Sequence, residues 1–375
     1  MPTTEPRGPH SFEYLKSFRN GSRLEGGFEF PIFGDAYFTG YGAQLGPYEI
    51  INAGAIEHRP GYFRPCIVVR CSAISGEYQP SLERTDTSRY HGGSLTDEIA
   101  ALISLSLGVR MQAGDVNREF YTFSSPGRPI GWHLKPWPES RPVGEHLQVP
   151  SAVKDRLLSP EALALIDRFD RLSTNEANAF LKAARTYQRA LWIVEWEPAQ
   201  AWLLFVSSIE ALGAYASGST ALAERLLTEY HPALAEAVTR AGGDQLLQTL
   251  SPLLEPLVGS VRKFRGFIES HFPDPPAARP RNAQIPWSIQ TIGPMLSKIY
   301  AHRSKALHDG TPFPIPMCRP PQSLEESGAA REMPFALAES DLGGVWRVED
   351  TPMHIHVFEH IVRQSILKWW SSRAE

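Results

Sequence analysis

The chain has 375 residues, of which 42% are hydrophobic and 21% charged, a globular composition long enough for two ordinary domains, each with its own core. A formal net charge of -4 excludes the broad cationic surface that sequence-independent duplex binding depends on. Two local basic clusters remain, one of Lys298, His302, Arg303, Lys305 and His308, the other of Arg262, Lys263 and Arg265.

Residues 1–25 are polar, with Pro2, Pro6 and Pro9, and are expected as a flexible lead without the charged-then-apolar pattern of a signal peptide. No long apolar run follows either, so a cytoplasmic protein with no membrane partner is expected. Residues 26–126 read as a β-rich α+β domain, with short aromatic and β-branched runs such as GFEFPIF, PYEIINAGAI and FRPCIVVRCSAI cut by Gly, Pro and Asn. Within it Thr96-Asp97-Glu98 opens a helix whose Ile99, Leu102, Ile103 and Leu107 track one face, with Gly108 near its end. Cys66 and Cys71 are five apart on an expected strand and so face opposite sides. Together with Cys318 they lack CxxC spacing, and all three are expected as packed thiols.

Residues 127–155 form a Pro- and Trp-rich connector in which the domain boundary is placed. From 156 to 375 the pattern is helical. Ser159-Pro160-Glu161 reads as a helix start, with Leu158, Ala162, Leu165, Phe169 and Leu172 on one stripe. Phe180, Ala184, Tyr187, Leu191 and Val194 define a longer helix. Pro198 starts the next, with Trp202, Phe205, Ile209 and Leu212 inward, and the two are expected to form a central hairpin. Residues 220–272 read as shorter helices punctuated by Gly242-Gly243, Pro252 and Pro256. A proline-rich loop leads to a helix ending near His308, a long loop covers about 309–340, and a last helix runs from about Met353 to Trp370.

The chemistry concentrates at the end of the helix before His308. Ile292, Leu296, Ile299 and Arg303 are spaced 4-3-4, so Arg303 continues a buried stripe and needs an anionic or carbonyl partner. His308 lies five residues on, where Gly310 and Pro312 stop the helix, and can turn back toward the Arg. A guanidinium holds phosphate oxygens and an imidazole moves a proton near neutral pH, which suits RNA cleavage without a metal or other cofactor. The plainer alternative pairs Arg303 with a buried carboxylate and leaves His308 as a helix cap. Glu210, on the edge of the apolar stripe in SSIEAL, should be half-buried and in need of a cation, for which Arg303 or Lys182 could serve. His356-Val-Phe-Glu359-His360 fits the H-x-x-E-H pattern of a zinc peptidase, but no third ligand follows well downstream. Those histidines are expected to be structural, with no metal bound.

The pair of segments YQRALWIVEWEPAQAWLLFVSSIEALGA and KIYAHRSKALHDG resembles the HEPN superfamily of helical bundles, most closely its ApeA-like branch. Trp202, Phe205, Glu210 and Leu212 match the first family segment, and Arg303, His308 and Gly310 the second, over roughly residues 160–372. With the strand-rich pattern before it, the architecture expected is an α+β N-terminal domain followed by an all-α bundle that the resemblance makes HEPN-like. The resemblance also implies a metal-independent endoribonuclease whose site forms where two protomers place Arg303 and His308 side by side, often a toxin or phage-defence effector. In that reading RNA is the partner and Glu210 orients Arg303, while Lys298, His302, Ser304 and Lys305 support the site or steer the backbone. Position 304, directly after the Arg, holds Ser where active members often carry Asn, Asp or His. That keeps open a non-catalytic dimer that binds RNA or another partner.

Overall fold

The computed structural model describes residues 7–22, 24–40, 44–59, 62–74, 85–121, 127–129, 146–159, 161–215, 227–228, 232–322, 329–334 and 338–374. The chain has a β-rich N-terminal region carrying helices and a helical C-terminal region. It divides into two compact units, Met1–Glu145 with Val149–Trp196 and Trp369–Glu375, and His146–Gln148 with Glu197–Lys368.

In the first unit, helix α1 (His10–Arg19) occupies part of the stretch expected to be a flexible lead. That expectation is corrected for residues 10–19, because Phe12 and Leu15, three apart, are both buried. The Glu98 carboxylate also accepts the first amides of the helix, from His10 at 3.1 Å and Ser11 at 2.6 Å. Strands β1 (Leu24–Gly34), β2 (Phe38–Gly40), β3 (Gln44–Leu45), β4 (Tyr48–Arg59) and β5 (Tyr62–Ile74) follow. Helix α2 (Leu95–Leu107) begins where the Ser94 amide donates to the Asp97 carboxylate at 2.9 Å and ends at Gly108, whose φ of 64° is left-handed. Strands β6 (Met111–Ala113), β7 (Arg118–Phe120), β8 (Arg128–Pro129) and β9 (Arg156–Leu158) complete the unit. The main sheet is antiparallel in the order β3-β4-β5-β1-β7-β8, with β6 pairing the far end of β1, while β2 and β9 pair in parallel. Cys66 and Cys71 are buried thiols on β5. Of the expected connector, residues 130–145, including Trp132 and Trp137, lie outside the described residues.

The stretch after Ser159 departs from the expected helix. Residues 161–165 are turns and Ile166–Arg171 is a 3-10 helix. The buried positions are Leu163, Ile166, Phe169 and Leu172, every third residue, which is the 3-10 period and not the 4-3 stripe. Helix α3 (Thr174–Ile193) then opens on a reciprocal cap, Glu176 N–H to Ser173 Oγ at 3.3 Å and Ser173 N–H to the Glu176 carboxylate at 2.9 Å. Its Gln188 donates to the Met111 carbonyl at 2.8 Å, and Phe180 packs on Trp370 at 4.4 Å and Trp369 at 6.0 Å. The stripe of α3 thus belongs to the sheet-bearing unit, and the expected partners of the central hairpin fall one in each unit.

The second unit contains α4 (Pro198–Glu210), α5 (Pro232–Ser270), α6 (Ile289–His308) and most of α7 (Ile355–Ala374), with a hairpin of β10 (Ala338–Asp341) and β11 (Gly344–Arg347). Helix α5 breaks at Gly242-Gly243, where φ is -153° and 67°, but continues through Pro252 and Pro256, so the expected breaks there are corrected. The core gathers on Trp202, whose ring stacks on Phe358 at 4.9 Å and Phe313 at 5.3 Å and whose indole N–H donates to the Met317 carbonyl at 3.1 Å. Phe264 adds contacts to Phe358 and to Tyr300 of α6. The loop after α6 is pinned at Phe313 and at the 3-10 helix Ile315–Cys318. No helix among the described residues is long and apolar enough to cross a membrane.

Candidate functional site

Helix α6 starts at Ser288, whose Oγ accepts the Thr291 amide at 3.3 Å, and buries Ile292, Leu296, Ile299 and Tyr300. The same stripe delivers Arg303 to the C-terminal end of α4. There Arg303 Nη2 donates to Glu210 Oε2 at 2.7 Å, and the Tyr300 hydroxyl donates to Glu210 Oε1 at 2.8 Å. Each Glu210 oxygen therefore has its own donor from α6. The guanidinium carbon also lies 5.3 Å from the centroid of the Tyr300 ring. Burial, together with the hydrogen bond and charge of Glu210, pushes the Tyr300 phenol up to about 12, so it stays protonated and keeps donating.

This cluster is half-buried, with the Arg303 side chain 20% and the Glu210 side chain 23% exposed. One guanidinium edge faces the carboxylate, whereas Nε is buried with no hydrogen-bond partner among the described residues. Lys182, the other candidate partner for Glu210, donates instead to the Ser88 carbonyl at 2.9 Å.

His308 is the last residue of α6 and is exposed. The Asp309 amide donates to the Lys305 carbonyl at 2.8 Å, and Gly310, with φ of 68°, lets the chain leave the axis. The helix stays regular through His308, so its side chain departs about 140° around from Arg303. Among the described residues the two form no hydrogen bond within one chain. Leu307, four residues after Arg303 on the same face, is 53% exposed.

The other cations of α6 point elsewhere. Lys298 Nζ lies 3.2 Å from Asp350 Oδ1, and His302 Nε2 is 2.7 Å from the Asp350 carbonyl oxygen. Burial holds His302 below its ordinary pKa, with Lys305 and Lys298 pushing the same way against the pull of Asp350. Lys305 is exposed and Ser304 half-buried. Of the second basic cluster, Arg265 is engaged by Glu269 at 2.7 Å and by Ser297 Oγ at 3.0 Å.

On α7, His360 Nε2 lies 2.9 Å from the Asp274 carbonyl. Burial pushes His356 down to about 3 and His354 down to about 4, so both are neutral. No group of three or more His, Cys, Asp or Glu among the described residues could hold a metal.

Sequence reasoning missed Tyr300 and Asp350. Tyr300 was legible as the residue three before Arg303 on the same stripe, whereas Asp350 ends a three-residue 3-10 helix too short to show periodicity. No family model, no curated protein and no solved structure matches this chain.

Proposed function

We propose that the helical unit is HEPN-like and that the chain is a metal-independent endoribonuclease acting as a homodimer. The observation that carries this reading is the half-buried Glu210–Arg303–Tyr300 cluster with an exposed His308 one helical turn and a half further on. Glu210 holds Nη2 of the guanidinium and Tyr300 holds Glu210, and the exposed part of the Arg303 side chain can meet a phosphate while Nε stays buried. In a dimer bringing two α6 ends together, one His308 takes the proton of a 2′-hydroxyl, whose oxygen attacks the adjacent phosphorus. The phosphorus–O5′ bond breaks, O5′ takes a proton from the second imidazole, and a 2′,3′-cyclic phosphate and a 5′-hydroxyl remain. Arg303 stabilises the charge gathering on the phosphoryl oxygens. The exposed Leu307 beside Arg303 supplies an apolar contact for such a dimer.

A second reading, a non-catalytic dimeric RNA-binding or interaction protein, is favoured by a different observation. Arg303 already has a carboxylate partner and shares no hydrogen bond with His308 of its own chain. Incubating a structured RNA pool with the protein in EDTA separates the two. The enzyme reading expects cleavage that resists chelation and is lost in His308→Ala. Absence of cleavage overturns it in favour of the second reading, and cleavage unchanged in His308→Ala overturns the role given to His308.

A further inference from the structure

The β10–β11 hairpin and the turn after it, residues 338–350, carry four acidic side chains, Glu339, Asp341, Glu349 and Asp350. Two of them, Glu339 and Asp341, pair with Arg319, and Glu349 pairs with Arg347 at 2.7 Å. Asp350 lies against α6, taking Lys298 with its carboxylate and His302 with its backbone carbonyl. Lys298, His302 and Lys305 are spaced four and three, so they share one helix face. Asp350 covers two of those three residues and leaves Lys305 exposed.

The hold is weak. The carboxylate of Asp350 is 52% and Lys298 40% exposed, and exposed pairs of this kind contribute about 0–1 kcal/mol each. In the hairpin Leu342 is 84% and Val345 71% exposed, so these two give no apolar anchor, and Trp346 is half-buried. A segment tied down by exposed ion pairs can be displaced by a competing polyanion, whose phosphates offer the same charge to the same cations.

We propose that the Lys298–His302–Lys305 face of α6 is a phosphodiester-binding surface for single-stranded RNA and that residues 338–350 are an acidic strap competing for it. The proposal deepens the ribonuclease reading by naming how its substrate is steered, but binding alone tests it. Fluorescence anisotropy would be measured for a labelled single-stranded RNA on the full chain in the His308→Ala background, with inorganic polyphosphate as a second probe. Asp350→Asn, and separately Glu339→Gln with Asp341→Asn, should each tighten binding of both probes, the combined variant by about three- to tenfold at low salt. Asp350→Glu, which keeps the charge, should leave binding weak. Adding Lys298→Gln and Lys305→Gln to the combined variant should remove the gain. Unchanged affinity in the combined variant, a gain that survives loss of both lysines, or no binding of either probe would overturn the strap. Tightened binding without cleavage by the His308-containing protein would keep the strap and remove the nuclease; cleavage with strap-insensitive binding would do the reverse.

Discussion

Each unit holds an arginine against a carboxylate and an aromatic ring, and the two sites are built to opposite ends. In the first unit Arg110 donates to Asp35 at 2.6 Å and lies 4.0 Å from the Trp192 ring and 4.4 Å from that of Trp196. Arg64 reaches the same carboxylate at 3.3 Å and the same Trp192 ring at 5.2 Å. Arg110 is 1% exposed, and burial lowers its pKa to about 10 against the opposing pull of Asp35. Such a guanidinium cannot meet a substrate. Arg303, 20% exposed at a helix end, can. Composition around the two is alike, so burial and the exposure of neighbouring groups separate a fold-holding arginine from a candidate for chemistry.

That contrast can be broken at either end. Removing the shared carboxylate with Asp35→Ala leaves two desolvated cations facing each other and should cost about 3–5 kcal/mol in urea unfolding; a loss under about 1 kcal/mol would mean the cluster is solvated. His354, just before α7, and His356 within it extend the comparison to groups that can shed their charge. Their depressed values, about 4 for His354 and about 3 for His356 against an ordinary 6.5, leave the unfolded chain binding more protons at acid pH. Stability of the second unit is therefore full well above pH 6.5 and falls as pH drops toward 4, by roughly 2 kcal/mol for each histidine at pH 5. A flat stability profile over that range would contradict neutral burial, and His356→Gln should flatten it in part. Glu210→Gln should cost only about 1 kcal/mol, because water can reach the half-exposed Arg303. The smallest effect is expected from Tyr300→Phe, about 0.5–1 kcal/mol for one hydrogen bond with the ring kept against the guanidinium. A Tyr300→Phe loss matching that of Asp35→Ala would erase the distinction between the two sites.

Much of this was legible in the sequence because it rests on local periodicity. The stripes of α3, α4 and α6 follow from 4-3 spacing, and Glu210 on the edge of one and Arg303 at the end of another identify each other as partners by charge. The segment after Ser159 misled because Leu158, Ala162, Leu165, Phe169 and Leu172 fit a 4-3 stripe, while the period of three in Leu163, Ile166, Phe169 and Leu172 was equally present. Helix α1 was hidden by the prolines before it and its short apolar stripe, and its cap, Glu98, lies 88 residues from His10. The unit boundary at Trp196 was invisible for the same reason, since the packing of α3 is decided by long-range contacts such as Gln188 to Met111. Asp350 could not be found by pattern, because it lies in a short segment without apolar periodicity and meets α6 through an exposed ion pair with Lys298.

The central claim is that Arg303 serves chemistry where Arg110 serves the fold. Its most direct test measures unfolding free energy and RNA cleavage in EDTA on one preparation of Arg303→Ala. Stability is expected within about 1–2 kcal/mol of the unaltered protein, with loss of products ending in 2′,3′-cyclic phosphate. Cleavage retained by the folded variant, or a destabilisation as large as that of Asp35→Ala, would contradict it.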